Sequence, residues 1–122
     1  MTNRTLKFRA WDTLAKKFTY PDKGYQGHYV LTLNGEFWNL QNGSGGDEYV
    51  VQQWTGFVDR NGKDIYEGDF LDDSHFPITF NDGKFVVAVS GARIFDLEEF
   101  FEESIEPTVR GNIFENSELL KQ

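Results

Sequence analysis

The sequence predicts a mainly β protein, a small SH3-like antiparallel barrel or roll of one domain over residues 1–122, with one short helix in its C-terminal half. Short apolar and aromatic runs alternate with glycine-containing turns along most of the chain, as in strands joined by tight hairpins. Aromatic residues form 16% of the 122 residues, so rings are expected to dominate the core. A barrel removes exposed sheet edges, which favours closure of these strands on themselves.

Two hairpins are predicted in the first half of the chain. Apolar and polar residues alternate over Leu6–Trp11, which predicts a strand with one buried face, and residues 17–20 return the chain beside it. Asn34-Gly35 separates two apolar runs and predicts the second hairpin. Glycine and polar side chains fill residues 41–47, so this segment is predicted to be a mobile surface loop.

Two further hairpins are predicted in the second half. Asn61-Gly62 lies between aromatic and apolar segments and predicts a type I′ turn, which needs positive φ at both central residues. Asn81–Gly83 is another turn sequence with a glycine suited to a left-handed position. The run that follows it, Lys84–Val89, is apolar on both faces, so a central or closed-barrel position, covered on both sides, is expected.

A short acidic helix is predicted at residues 96–106. Asp96 and Glu99 have the spacing of a capping box, and an apolar stripe follows helical periodicity. The stripe consists of Leu97, Phe100, Phe101 and Ile105. A final strand is predicted within Val109–Phe114, and a closing helical turn at residues 117–120.

Composition limits the class of function. The net charge of -8 argues against a general nucleic-acid binder, because such proteins gain affinity by neutralising phosphates. The chain has 0 Cys, which excludes disulfides, thiolate metal sites and cysteine nucleophiles. No segment approaches the roughly 20 apolar residues of a membrane helix, and no apolar run follows the basic N-terminal residues. We therefore expect a protein of the cytoplasm that does not act at a membrane.

Positive charge concentrates at the N-terminus. Residues 1–23 hold six basic and two acidic side chains, a net charge of +4, so the rest of the chain carries -12. The candidate basic and aromatic face consists of Lys7, Arg9, Trp11, Lys16 and Lys17. It would place cations beside a ring that stacks on a base, which is the basis of an alternative function as a nucleic-acid-binding module. A solvated strand face beside an acidic neighbouring subunit explains the same residues.

Negative charge concentrates on the predicted helix. The candidate partner-binding residues are Glu98, Glu99, Glu102, Glu103 and Glu106. Three of them are spaced four residues apart and would form one acidic ridge, which fits the basic nucleic-acid channel of a host protein. The other interpretation is the solvated side of an amphipathic helix.

No motif of catalysis or cofactor binding is recognisable, so neither catalytic residues nor a cofactor is predicted. Gly56–Lys63 superficially resembles a phosphate-binding loop, but its glycine spacing and the following Asp64 do not fit that motif. Asp72, Asp73 and His75 place two carboxylates and an imidazole close together. One more ligand would complete a divalent-cation site, the basis of a second alternative, a metal-dependent hydrolase. A solvated loop is the other interpretation.

Three separated patterns carry a family signature. They are Lys7–Asp12 followed by Lys16-Lys17-Phe18, Gln53–Phe57 with Asp59–Asp69, and Gly111–Asn116 with Glu118-Leu119-Leu120. In this order and spacing they resemble the YopX family of small proteins encoded by bacteriophages and prophages. Trp54 stands where the family usually has Tyr, and Ser117 where it usually has Pro. Residues 21–50 and 72–105 match less well.

The resemblance implies an SH3-like β-rich fold, ring-like oligomers and a viral origin, but no established activity. We therefore expect a non-enzymatic phage or prophage accessory protein in the host bacterial cytoplasm, which associates with itself and binds a host or phage protein. An anti-defence inhibitor of a CRISPR or restriction nuclease is the specific form expected from charge and viral context. Residues 21–50 are expected to determine partner choice, because loops on a rigid scaffold vary most freely.

Overall fold

The computed structural model describes residues 6–21, 29–40, 43, 45–72, 76–89, 93–103 and 107–119. Within these ranges the side chains at positions 88–89, 93–95, 100 and 103 are outside the description. The described part consists mainly of antiparallel strands with a single α-helix, so the predicted mainly β class with one short helix is confirmed. The arrangement of the sheets as an SH3-like barrel stays a prediction.

The strands that follow are numbered in chain order. Their bounds are β1 Phe8–Asp12, β2 Lys17–Thr19, β3 Tyr29–Leu31, β4 Phe37–Asn39, β5 Tyr49–Val58, β6 Asp64–Tyr66, β7 Asp69–Leu71, β8 Thr79–Asn81, β9 Lys84–Val89, β10 Arg93–Asp96 and β11 Val109–Asn112. The helix α1 spans Leu97–Glu103, and two short 3₁₀ helices lie at Gly46–Glu48 and Ser117–Leu119. The predicted closing helical turn is therefore confirmed as far as residue 119.

The backbone divides into two compact units, residues 1–53 and residues 54–122. The charge divides with them. Unit 1 holds six basic and five acidic side chains, a net charge of +1, whereas unit 2 holds six basic and fifteen acidic ones, a net charge of -9. Almost all the acidity of this chain thus belongs to unit 2. The prediction of one domain over the whole chain stays a prediction.

In unit 1, β1 pairs with β2 on one side and with the first half of β5 on the other, and β3 pairs with β4. The β1–β2 turn is fixed by Asp12, whose Oδ1 accepts the backbone N–H groups of Leu14 at 3.0 Å and Ala15 at 2.9 Å. Both predicted hairpins are therefore present. Their second strands are shorter than predicted.

The expected single buried face of the first strand is wrong. Arg9, Ala10 and Trp11 are consecutive and all buried, at 3%, 0% and 6% exposure, whereas Leu6 is 54% exposed. Successive side chains of a strand point to opposite faces, so β1 is covered on both faces. A central position between β2 and β5 places it away from the edges of its sheet.

In unit 2, β9 is the central strand of the β10–β9–β8 sheet, as predicted, and β11 pairs with β7. The second half of β5 pairs with β6. A hydrophobic cluster of almost completely buried side chains connects these elements: Ile65, Leu71, Ile78, Val87 and Leu97. Each contributes roughly 1.5–3 kcal/mol relative to an exposed position.

The type of turn at Asn61-Gly62 differs from the prediction. Gly62 has a φ of 80°, but Asn61 is not among the described residues with positive φ. The N–H of Gly62 donates to the carbonyl of Asp59 at 3.0 Å. This is a type I turn followed by a left-handed glycine. The β3–β4 hairpin repeats it, with the N–H of Gly35 donating to the carbonyl of Thr32 at 2.9 Å.

The type I′ conformation occurs instead at Asp82-Gly83, where both residues have positive φ, 52° and 80°. Asn81 and Lys84 are paired on either side of these two residues. A two-residue connection in this conformation matches the right-handed twist of the strands it joins.

Two predicted segments are only partly described. Of the predicted mobile loop 41–47, positions 41, 42 and 44 lie outside the described residues, while Gly45 forms a β-bridge with Trp38 and a 3₁₀ helix begins at Gly46. Of the predicted helix 96–106, residues 104–106 lie outside. Asp96 is the last residue of β10 rather than part of the helix.

Candidate functional site

The most acidic described element is α1, whose exposed side we call the acidic face, defined by Glu98, Glu99 and Glu102. All three side chains are exposed. The opposite side of the helix is anchored, because Leu97 is only 2% exposed and the ring of Phe101 stacks on Phe57, with ring centroids 4.7 Å apart and planes at 20°. This confirms the amphipathic helix.

The remaining candidate glutamates cannot be placed on this face. The side chain of Glu103 and the whole of Glu106 lie outside the described residues. The predicted ridge of Glu98, Glu102 and Glu106 is thus described at its first two members only.

The N-cap hydrogen bond of the predicted capping box holds the start of the helix. Oδ1 of Asp96 accepts the backbone N–H of Glu99 at 2.9 Å, and Oδ2 of Asp96 lies 3.5 Å from Nζ of Lys84. The backbone hydrogen bond from Glu99 lowers the pKa of Asp96. A side-chain hydrogen bond with Asp96, and the charge of Asp96, raise the pKa of Glu99. Negative charge at a helix N-terminus is favourable, so Glu98 and Glu99, in the first turn of α1, are compatible with helix formation.

The candidate basic and aromatic face is not a continuous exposed surface. Nε of Arg9 donates to Oε1 of Gln52 at 2.8 Å, and its guanidinium lies 4.2 Å from the ring centroid of Phe18. Trp11 packs edge-on against the same ring, with centroids 4.9 Å apart. Because Arg9 and Trp11 are buried, the expectation that they lie on an exposed strand face is wrong.

The other three members of that set differ in exposure. Lys7 is half-buried, and Lys16 and Lys17 are exposed at the β1–β2 turn. Only the last two keep the exposure that contact with a phosphate backbone requires.

The candidate metal site can be described only at Asp72. Its Oδ1 accepts the N–H of Thr108 at 2.9 Å, and its N–H donates to the carbonyl of Thr108 at 2.9 Å. Asp73 and His75 lie outside the described residues. Among the residues that the structure does describe, no group of three or more His, Asp or Glu side chains could hold a metal ion.

The family-pattern residue Asp59 has a structural role. Its carboxylate is 6% exposed; Oδ1 accepts the N–H groups of Asn61 at 2.8 Å and Lys63 at 2.9 Å, and Oδ2 accepts that of Val109 at 3.0 Å. Burial opposes ionisation, but these three hydrogen bonds and the charge of Lys63 outweigh it and lower the pKa of Asp59. Asp59 therefore connects the β5–β6 turn to β11.

The closing family pattern forms a turn that is held by side-chain to backbone hydrogen bonds. Oδ1 of Asn112 accepts the N–H groups of Phe114 and Glu115 at 3.0 and 2.9 Å, and Oδ1 of Asn116 accepts the N–H of Asn112 at 3.1 Å. A Cβ at Gly111 would lie 2.5 Å from Oδ1 of Asn116. These pattern residues therefore maintain the fold.

Unit 1 contains a cavity that the sequence did not predict. Its volume is about 360 Å³, and its lining includes Asp12, Glu48, Tyr29 and Tyr49. These residues come from three separate parts of the chain, since Glu48 and Tyr49 are adjacent. The strand register pairs Asp12 with Tyr49, and Phe37 packs against both Tyr29 and Tyr49. Both are long-range contacts, so no local pattern could have identified the cavity.

No helix in the described part of the chain is both long enough and apolar enough to span a bilayer.

Comparison with known proteins identifies relatives of similar length. A crystal structure of protein EF1440 from Enterococcus faecalis is 26% identical, with a TM-score of 0.51, covering 98% of this chain and 100% of that one. The crystal structure of protein yopX from Bacillus subtilis is 20% identical, with a TM-score of 0.63, covering 95% and 96% respectively; at that identity it shows a shared fold. No curated protein sequence matches.

The profile of the family described as YopX protein matches residues 7–121, nearly the whole chain. This chain therefore belongs to the YopX protein family.

Proposed function

We propose that this protein is a non-enzymatic binding protein whose acidic face docks on a basic macromolecule. The observation that carries the proposal is the placement of Glu98, Glu99 and Glu102 on the solvent side of a helix whose other side is packed. Because Leu97 and Phe101 anchor the helix, its backbone loses little freedom on binding, and such preorganisation favours affinity.

The charge of the surrounding unit supports the same function. Unit 2 carries a net charge of -9, just above the magnitude of about 2–8 that suits the solubility of a small domain. A surface of one sign steers a partner of the opposite sign and raises the rate of association. We therefore propose that unit 2, rather than residues 21–50 of unit 1, carries the recognition surface and that its partner is a basic protein.

The specific form of the proposal is anti-defence. A basic channel that accepts nucleic acid would also accept a rigid acidic helix, so a CRISPR or restriction nuclease of the bacterial host is the partner that we propose. Phage or prophage origin, self-association and a place in the host cytoplasm belong to the same proposal and rest on the family resemblance. A nucleic-acid-binding function receives less support, because Arg9 and Trp11 are buried.

Charge reversal tests the proposal. Glu98→Lys with Glu102→Lys changes the charge by +4 on the acidic face, and Glu36→Lys with Asp47→Lys makes the same change at exposed positions of unit 1. Tagged wild-type protein and both variants are used to capture partners from host lysate at about 0.15 M ionic strength, where the Debye length is about 8 Å. The affinity of each captured protein is then measured with purified components.

We expect capture of a basic protein, an affinity about tenfold weaker in the Glu98/Glu102 variant, and little change in the unit 1 variant. Inhibition of the partner nuclease should fall in parallel. Equal binding by both variants would contradict a role for the acidic face. Light scattering of the unbound protein tests self-association separately.

A further inference from the structure

The cavity in unit 1 has no role in the proposed function, which concerns unit 2. We propose that it binds an organic cation, an alkylammonium or guanidinium group such as that of a lysine side chain, an arginine side chain or a polyamine. We call it the tyrosine cavity and define it by Asp12, Glu48, Tyr29, Tyr49 and Lys17.

Strand register fixes the positions of Asp12, Lys17 and Tyr49 relative to one another. Asp12 is paired with Lys17 of β2 and with Tyr49 of β5. Residues directly opposite one another in antiparallel strands project to the same face of the sheet. The carboxylate of Asp12 and the ring of Tyr49 therefore share one face of β1–β5, and Lys17 borders it.

The two tyrosine rings that line the cavity pack against a third, buried ring. Phe37, only 1% exposed, stacks on the ring of Tyr29 with centroids 5.3 Å apart and planes at 19°, and it meets Tyr49 edge-on with centroids 5.0 Å apart. One buried ring thus fixes both tyrosines. Aromatic rings attract cations through their quadrupole, most strongly where water is partly excluded.

The carboxylates provide the unbalanced charge. The backbone of Glu48 is held by Thr13, whose N–H and Oγ1 both donate to its carbonyl at 2.9 Å. Its half-buried carboxylate makes no hydrogen bond or ion pair within the described part of the chain. Asp12 uses Oδ1 for the turn. The carboxylate of Glu48 is therefore available to a bound cation, with which it would form a charge-assisted hydrogen bond.

Size and charge together select the ligand. The cavity volume of about 360 Å³ is at the small end of ligand sites, which suits one extended basic side chain. Two carboxylates and one ammonium leave a net charge of -1, so a cation is preferred over an anion. The exposed Lys17 lies at the edge, where it would disfavour a second positive charge.

The test is an NMR titration of the ¹⁵N-labelled full chain. The probes are N-acetyl-arginine methylamide, N-acetyl-lysine methylamide and spermidine, with N-acetyl-citrulline methylamide as an uncharged probe of nearly the same shape. We expect saturable shifts at the amides of Asp12, Tyr29 and Tyr49, with a Kd on the order of 1 mM for at least one cation. The citrulline probe should not saturate.

Two variants that each remove one negative charge test whether the cation binds at the cavity. Glu48→Gln removes the cavity carboxylate, and Glu36→Gln removes an exposed carboxylate elsewhere in unit 1. Affinity should fall at least about fivefold in Glu48→Gln and stay unchanged in Glu36→Gln. The Glu98→Lys/Glu102→Lys protein should bind as wild type does, which separates this test from that of the proposed function.

If the capped amino acids bind more tightly, the natural cation is a side chain of a partner protein. If spermidine binds more tightly, the natural cation is a free polyamine. Equal loss in both glutamine variants would overturn the proposal. So would saturable binding of the citrulline probe, absence of saturation by every cation, or shifts away from the cavity. Because the shift map is recorded on the wild-type protein, the test does not depend on the folding of a variant.

Discussion

Replacement of Asp59 by Asn is expected to destabilise the protein by about 2–3 kcal/mol at neutral pH. The carboxylate accepts three backbone N–H groups, those of Asn61, Lys63 and Val109, at 2.8 to 3.0 Å. A hydrogen bond to a charged group contributes about 1.5–3 kcal/mol. Asn61 and Lys63 are exposed, so in the variant water can accept hydrogen bonds from their backbone N–H groups and offset part of the loss. Val109 would face either an amide N–H₂ group or a weaker neutral acceptor.

The pH dependence of stability should change with the substitution. The pKa of Asp59 is lowered in the folded protein from its ordinary value of 3.8. The charged form therefore stabilises the fold above pH 3.8, and this contribution is lost as the pH falls through the folded-state pKa. The difference in stability between wild type and Asp59→Asn should thus be greatest at neutral pH and should narrow below pH 3.8.

Urea denaturation at a series of pH values, followed by tryptophan fluorescence, measures this difference. Asp82→Asn is the matched control, because Asp82 is exposed, Asn tolerates its left-handed conformation and the charge change is the same. The control should stay within about 0.5 kcal/mol of wild type. A loss at Asp59 no larger than this, or one that does not vary with pH, would refute the role assigned to the carboxylate.

Three further predictions concern packing and capping. Gly111→Ala should cost about 1–3 kcal/mol because its Cβ meets Oδ1 of Asn116, and a double-mutant cycle with Asn116→Ala should recover much of that loss if the contact is the cause. Phe101→Ala should cost about 2–3 kcal/mol in urea denaturation, since it removes a half-buried stacked ring; Glu102→Ala, on the exposed side of the same helix, is the control and should change little. Asp96→Ala should lower the melting temperature, because the N–H of Glu99 loses its cap; calorimetry would contradict this if the melting temperature were unchanged.

The fold was predictable wherever the determinants are local. The β1–β2 turn, the Asn34-Gly35 hairpin and the capping box of α1 each depend on residues within about four positions of one another. Alternation, turn glycines and capping residues report such short-range preferences directly. The acidic face was predictable for the same reason, since a helical repeat places Glu98 and Glu102 one turn apart.

The burial of Arg9 and Trp11, two residues of the candidate basic and aromatic face, depends on what packs over the two faces of β1. Arg9 and Trp11 alternate with apolar residues as solvent-facing side chains would, but β1 lies between β2 and β5 and is buried on both faces. Gln52, which accepts the hydrogen bond from Arg9, is forty-three positions away. A pattern within one strand contains no information about its neighbours.

By itself, the sequence determined the mainly β class, the positions of the hairpins, the capped acidic helix and the family, because each of these is set by neighbouring residues or by a recognisable pattern. The tertiary structure was needed to show that Asp82-Gly83, not Asn61-Gly62, takes the type I′ turn, that Asp59 accepts a hydrogen bond from Val109 fifty residues away, and that Asp12, Glu48, Tyr29 and Tyr49 line one cavity. The physical reason is that strand pairing and register bring distant residues together. The free energy of those contacts depends on the whole packed unit rather than on any short segment.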